Sequence, residues 1–298
     1  MNTCLAIDIG GTKIAVALIE SGQILKLDQR ETPSSNYSED MTLALKELLA
    51  PFKEQADFIA VASTGIINQG VLTALNPDNL GGLNQYRLAD TLEQICQKPV
   101  MVINDAQAAA WAEYKTLEST FNAMGFITVS TGVGAGFVIN DSLLIGQYGI
   151  AGHAGHILAD PNGPTCGCGR KGCVESIASG TAIGKAGQAF FGSDCTGKIV
   201  FDQYQKGHPE AIAIVENAAK TIANLIADLK ITLDLQVVCL GGSIGLAPGF
   251  LPRVHHHLSL LPSAHQVKVM HAHSGANAGL LGVASWAQNI YNNKALPR

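Results

Sequence analysis

The chain reads as an α/β protein built from two related lobes. Two stretches lead there. Residues 4–19, CLAIDIGGTKIAVALI, read strand, tight glycine turn, strand. Residues 125–139, GFITVSTGVGAGFVI, repeat that grammar about 120 residues later. Each hairpin opens a block in which strands and helices alternate. With 298 residues, 47% of them apolar, there is core enough for one large or two medium domains.

In order, Gly10 and Gly11 sit where a two-residue hairpin turn asks for positive φ, and Asp8 is a polar intrusion in an apolar strand. A third strand is expected near 23–31. A helix is expected over 38–52, with Met41, Leu45, Leu48 and Leu49 on one side. FIAVAS at 58–63 reads as a buried strand ending at Thr64–Gly65, NQG at 68–70 as a turn and NPDNLGG at 76–82 as a loop. A short helix over 88–97 and a strand over 99–103 follow, the strand running straight into Asn104–Asp105 and a helix. The lobe boundary is expected at 118–124, giving an N-terminal lobe of residues 1–120 and a C-terminal lobe of residues 121–275. The second half is alanine-rich and helical. One long helix is expected over 209–232, with Ile212, Val215, Ile222, Leu225 and Leu229 near one face. Strands follow at QVVCL, ending in Gly241–Gly242–Ser243, and near 266–271. The last helix, about 276–298, carries small residues that permit close packing and is long enough to return to the first lobe.

Composition excludes several classes. Charged residues make up only 14% and the net charge is −5, so no basic stripe exists for nucleic acid or an anionic membrane. No apolar run is long enough to span a bilayer. Met1 leads within four residues into a strand, so neither a signal peptide nor a DNA-reading helix pair is expected. Cys4, Cys96, Cys195 and Cys239 are scattered, which suits a reduced, cytoplasmic protein with buried thiols.

The remaining three cysteines lie in GHAGHILADPNGPTCGCGRKGCVE, residues 152–175. His156, Cys166, Cys168 and Cys173 supply one imidazole and three thiols, a complete tetrahedral set for zinc with no open position. Such a site is structural. Pro164, Gly167, Gly169 and Gly172 give the loop the turns that wrapping an ion needs, and it has few apolar side chains to hold it otherwise. Ordinary cysteines beside a chance histidine are the plainer alternative.

Both glycine turns suit a polyphosphate, because backbone N–H groups can approach an anion where no side chain intervenes. Gly10-Gly11-Thr12-Lys13 adds a hydroxyl and a cation; Ser130 and Thr131 add hydroxyls before Gly132, Gly134 and Gly136. Either turn alone reads better as an ordinary hairpin; the pair in matching lobes favours phosphate. Neither is a GxxxxGK[ST] loop. Asp105 reads as a helix cap or as a carboxylate base for a substrate hydroxyl, and the two roles are compatible. Glu175, two residues past Cys173, is a carboxylate that a metal would fix in place, suited to sugar hydroxyls. His153 is a solvated loop histidine or a member of that site.

AIDIGGTKIA, NDAQAAAWAEY, TVSTGVGAGFV, GHAGH, CGCGRKGCVE and LGGS, in order along nearly the whole chain, resemble the ROK family of sugar kinases and sugar-responsive repressors. The resemblance implies a two-lobed actin-like ATPase fold with a mixed sheet in each lobe, a zinc-braced loop, and a cleft for ATP and sugar. VASTGII, ALNPDNLGGL and AGHAGHILADPNGP are similar to the branch that phosphorylates N-acetylmannosamine in sialic acid breakdown. By that resemblance Asp105 is the base for the sugar 6-hydroxyl, and Thr64, Gly65, Asn79, Gly81, Gly82, Asn104, His153, His156 and Glu175 contact the sugar. Ala6, Ile7, Asp8, Ile9, Gly10, Gly11, Thr12 and Lys13 would serve ATP, with Asp8 near Mg2+. Thr131, Gly132, Val133, Gly134, Ala135 and Gly136 would line its phosphates, and Gly241 and Gly242 would border the adenosine. A homodimer is implied as well.

One departure stands out. Where most family kinases read Glu-x-Gly-His, this chain has His153-Ala154-Gly155-His156. A carboxylate only accepts hydrogen bonds, whereas a neutral imidazole also donates one, which would suit an N-acetyl carbonyl. A kinase of glucose or N-acetylglucosamine is the near alternative, and a sugar-responsive regulator the distant one.

Overall fold

The computed structural model describes residues 2–76, 79–117 and 121–294. The boundary expected at 118–124 lies partly outside the described residues. So do Pro77 and Asp78 of the 76–82 loop and residues 295–298 of the last helix. The chain divides into two compact units. One comprises Met1–Thr116, Leu143–Ala151 and Ser274–Arg298; the other comprises Leu117–Ser142 and Gly152–His273.

The first unit begins with β1 (Thr3–Ile9), β2 (Lys13–Glu20) and β3 (Gln23–Glu31), then α1 (Ser38–Leu49) and β4 (Phe58–Ser63). A small hairpin, β5 (Ile66–Asn68) and β6 (Val71–Thr73), precedes α2 (Leu88–Cys96), β7 (Val100–Asn104) and α3 (Asp105–Thr116). The sheet order is β3-β2-β1-β4-β7. β1 is antiparallel to β2 and parallel to β4, and β4 is parallel to β7. Central β1 and β4 are almost wholly buried, which explains their continuous apolar runs. β3 closes one edge with the mostly exposed, charged face that an unpaired edge requires. Gln69 and Gly70, both at positive φ, form the two-residue turn of the small hairpin.

Gly10 and Gly11 differ from expectation: neither takes a left-handed φ. Gly10 N–H donates to Lys13 O at 2.9 Å, closing the turn without that geometry. A side chain is excluded at Gly11 for another reason, since its Cβ would lie 2.2 Å from Asn79 Oδ1.

The second unit holds β8 (Ala123–Val129), β9 (Val133–Ile139) and the start of β10 (Ser142–Leu143). Helices α4 (Glu175–Ala178), α5 (Gly180–Phe191), α6 (Gly197–Gln205) and α7 (Pro209–Leu233) follow, then β11 (Val237–Gly241), α8 (Gly242–Gly245), α9 (Phe250–Ser259) and β12 (Lys268–His271). The order β10-β9-β8-β11-β12 repeats that of the first sheet. β8 is antiparallel to β9 and parallel to β11, as β1 is to β2 and β4. α5 and α6, which periodicity does not separate, start at Ser179 and Thr196, whose hydroxyls accept from Ala182 N–H and Ile199 N–H. Along α7 the buried stripe runs through Ala211, Val215, Ala218, Ile222, Leu225 and Leu229. Ile212, expected on that face, is exposed because Ala211 takes the buried position one residue earlier.

The last helix, α10 (Ala278–Lys294), packs within the first unit on α3, β1 and β4. Its glycines permit this contact. A Cβ on Gly282 would lie 1.9 Å from Ala108 O of α3, and one on Gly279 would lie 2.5 Å from Asp8 Oδ2.

Candidate active site and metal centre

In the first unit, Ala6, Ile7 and Ile9 are fully buried core residues of β1, and Asp8 alternates to the partly exposed side at the strand's end. Burial pushes the Asp8 carboxyl up to about 7; the Asp105 charge adds to this and Lys13 opposes it. Thr64 N–H donates to Ile9 O at 3.0 Å, so the end of β4 is tied to the glycine turn. Asn79 Nδ2 reaches Thr64 Oγ1 at 3.4 Å while its Oδ1 covers Gly11. Gly65, Gly81 and Gly82 all have positive φ. At Gly81 a Cβ would also sit 2.2 Å from Ser35 O.

Asp105 is the first residue of α3, immediately after β7. Asn104 caps the helix: its Oδ1 accepts from Ala106 N–H at 2.9 Å. Its Nδ2 donates to Ser63 O at 3.3 Å and Gly65 O at 3.1 Å, binding the ends of two neighbouring strands together. Asp105 Oδ1 also accepts from Ala106 N–H, at 2.8 Å. Burial still raises the Asp105 carboxyl above the usual carboxylate range, despite these hydrogen bonds. A base so placed works closer to neutral pH than an exposed aspartate.

Sequence reasoning missed Gln107. It is 2% exposed. Its Oε1 accepts from Asn104 N–H at 3.2 Å. Its Nε2 faces Leu144 O at 3.3 Å, Ile145 O at 3.4 Å and Ala151 O at 3.0 Å. One amide thus fastens the segment 143–151 to the turn that presents Asp105. The available signal is a polar residue in an otherwise alanine-filled first turn.

In the second unit, GHAGH is explained by β9. Gly152 O accepts from Ala135 N–H at 2.8 Å. A Cβ on Gly152 would lie 2.3 Å from Ala135 O, and one on Gly155 would lie 2.2 Å from Val133 O. Two glycines three apart let the loop lie against the strand, with His153 and His156 beside it, their ring centroids 6.3 Å apart.

The donor atoms of His156, Cys166, Cys168 and Cys173 all lie within 4.8 Å of one another. Cys168 Sγ and Cys173 Sγ are 3.8 Å apart, and Cys166 Sγ is 3.6 Å from His156 Nδ1. A tetrahedral zinc with ordinary Zn–S and Zn–N lengths has edges of about 3.8 Å between sulfurs and about 3.6 Å between sulfur and nitrogen. The residues fit that ion. Burial, and then the neighbouring thiols, push the Cys173 thiol up to about 12, so a cation is what would let the set ionise together. Gly169 and Gly172 take the positive φ of a wrapped loop. With Nδ1 directed at the sulfurs, His156 keeps Nε2 for a second partner.

The second glycine turn lies between β8 and β9. Ser130, Thr131 and Gly132 form it, whereas Val133, Gly134, Ala135 and Gly136 are strand residues paired with Val129, Thr128, Ile127 and Phe126. Gly180 N–H donates to Ser130 O at 2.7 Å, docking the turn on the start of α5. Glu175 Oε2 accepts from Val133 N–H at 2.9 Å. Beside the turn is a cavity of about 410 Å³ lined by Thr131, Thr181, Lys185, Thr196 and Ser243, large enough for a nucleoside. Gly241 ends β11 and Gly242 begins α8 next to Ser243. Gly242 has positive φ, and a Cβ there would lie 2.4 Å from Val129 O. Lys185, Thr181 and Thr196 escape sequence reasoning because no motif marks the helices that carry them.

A model of the ROK family matches residues 4–290. The chain belongs to the ROK family. An N-acetylmannosamine kinase of Haemophilus influenzae (strain PittGG) is 51% identical over 292 residues, 98% of this chain and 97% of its own. The ROK hexokinase of Thermus thermophilus has the same fold, with TM-score 0.83 and 30% identity, over 98% of this chain and 99% of its own. A ROK glucokinase from Streptomyces griseus, solved with glucose and AMPPNP, aligns with TM-score 0.79 and 29% identity over 96% of this chain and 99% of its own. The α/β architecture with mixed sheets is therefore that of ROK sugar kinases. Among the described residues, no helix of this ROK protein is long and apolar enough to cross a membrane.

Proposed function

We propose that this chain transfers the γ-phosphoryl group of ATP to the 6-hydroxyl of N-acetyl-D-mannosamine, giving ADP and N-acetyl-D-mannosamine 6-phosphate, a step of sialic acid degradation. The observation that carries this reading is 51% identity to an N-acetylmannosamine kinase across 98% of the chain. ATP as donor is supported by the AMPPNP bound to the related glucokinase.

Asp105 accepts the proton of the 6-hydroxyl as that oxygen attacks the γ-phosphorus, and the bond to the β–γ bridging oxygen breaks to release ADP. Asn104, Gln107 and the α3 start hold the carboxylate; Thr64, Gly65, Asn79, Gly81 and Gly82 shape the sugar side of the first unit. His153, His156 and Glu175 are the sugar contacts of the second unit. The turns at Gly10–Lys13 and Thr131–Gly132 receive phosphates, Val133, Gly134, Ala135 and Gly136 back the second turn, and Gly241 and Gly242 border the adenosine. Mg2+, when bound near Asp8, offsets charge on the transferring group. His156, Cys166, Cys168 and Cys173 would hold one zinc ion, which would brace the loop. The protein works in the cytoplasm as a homodimer.

Incubation with Mg–ATP and N-acetylmannosamine tests the reading, with the product read by phosphorus–proton correlation NMR. One ADP per sugar phosphorylated at C6 is expected. ADP release no faster than in the sugar-free control contradicts it.

A further inference from the structure

Glu175 sits two residues beyond Cys173, at the head of α4. Its Oε2 accepts the Val133 N–H at 2.9 Å, and a Cβ on Gly132 would lie 2.5 Å from the same oxygen. Its other oxygen, Oε1, lies 3.9 Å from Cys166 Sγ. One carboxylate therefore stands between the Cys166 thiol and the backbone of the second glycine turn. Val133 is 42 residues away in sequence, so the link is tertiary. An amide bonded to a carboxylate is held more firmly than one bonded to water. Val133 is the first residue of β9, so the carboxylate grips the point where the turn passes into the strand.

We propose that Glu175 is a positioning residue that ties the metal loop to the nucleotide turn, so that zinc occupancy sets nucleotide affinity. This rests on the reading that the turn receives ATP phosphates. Zinc fixes Cys173, Cys173 fixes the start of α4, and the Glu175 carboxylate there orients Val133 and Gly132. A role confined to sugar hydroxyls makes no demand on nucleotide binding in the absence of sugar.

The test is calorimetric binding of Mg–ADP without sugar. It compares zinc-loaded parent, zinc-stripped parent, Glu175→Ala and Glu175→Gln. Stripping zinc is expected to weaken Mg–ADP binding about tenfold, and Glu175→Ala with zinc retained by about the same factor, as for one lost charge-assisted hydrogen bond. Stripping zinc from Glu175→Ala adds less than twofold, since the link is already broken. Glu175→Gln keeps an acceptor for Val133 N–H and binds within about threefold of parent. Zinc-loaded Glu175→Ala binding Mg–ADP within twofold of parent overturns the proposal. A parent that binds no Mg–ADP overturns the kinase reading beneath it as well. Should Glu175→Ala lose its fold, hydrogen exchange on the nucleotide-free parent decides. The Val133 amide is expected to exchange about tenfold more slowly with zinc than without it, and equal rates overturn the link.

Discussion

Gln107 Oε1 accepts the Asn104 N–H at 3.2 Å, from a side chain that also holds three carbonyls of residues 144–151. Asn104 in turn caps α3 and donates to Ser63 O and Gly65 O. The proposed base is thus placed by a buried amide network rather than by its own contacts alone. Gln107→Leu fills a similar volume but strands the Asn104 N–H and those carbonyls. It is expected to cost about 1–3 kcal/mol of stability and to lower kcat on the order of tenfold or more, with a smaller change in KM for ATP. Urea unfolding and steady-state kinetics read the two effects. Parent-like kcat would limit Gln107 to folding.

Asp105 carries the proton in this account. Asp105→Asn is expected to lower kcat by roughly three orders of magnitude while zinc content and fold are kept. Because burial raises its carboxyl, the parent loses activity as pH falls through a value above the usual aspartate range. The acid limb of kcat/KM should therefore lie above the ordinary carboxylate position, and an acid limb at that position would contradict the assignment.

Asp8 gives a stability prediction with a definite sign. Its folded carboxyl titrates near 7, above the unfolded value, so the folded state holds the proton longer. Stability from this group is intact below about pH 4, declines between there and 7, and stays low above. Asp8→Asn removes that decline. Its Tm should match the parent at low pH and exceed it by roughly 5 °C at pH 8, with weakened dependence of activity on Mg2+. Calorimetry at pH 4 and 8 checks this; an equal difference at both would show that Asp8 does not titrate between them.

His153 is where sugar preference is expected to reside. His153→Glu replaces a group that can donate with one that only accepts. The ratio of kcat/KM for N-acetylmannosamine over glucose should drop about tenfold or more. An unchanged ratio would place the discrimination elsewhere.

Much of this was legible because it is local. Hairpins at β1–β2 and β8–β9, the strand running into Asn104–Asp105, and the Cys3His spacing each depend on neighbouring residues. What stayed hidden depends on distant partners. Gly11 is small because of Asn79, and not for its φ. Gly152 and Gly155 are small because β9 passes beneath them. Gln107 serves a segment some 40 residues onward, and Glu175 serves an amide 42 residues back. Helices α5 and α6 carry the cavity's Thr181, Lys185 and Thr196 in a stretch whose small residues blur helical periodicity.

The identity of the sugar is what separates this kinase from a glucokinase. Steady-state phosphorylation of N-acetylmannosamine, N-acetylglucosamine, glucose and mannose with Mg–ATP, compared by kcat/KM, tests it most directly. N-acetylmannosamine is expected to lead by at least about tenfold. A higher kcat/KM for glucose or N-acetylglucosamine would contradict it.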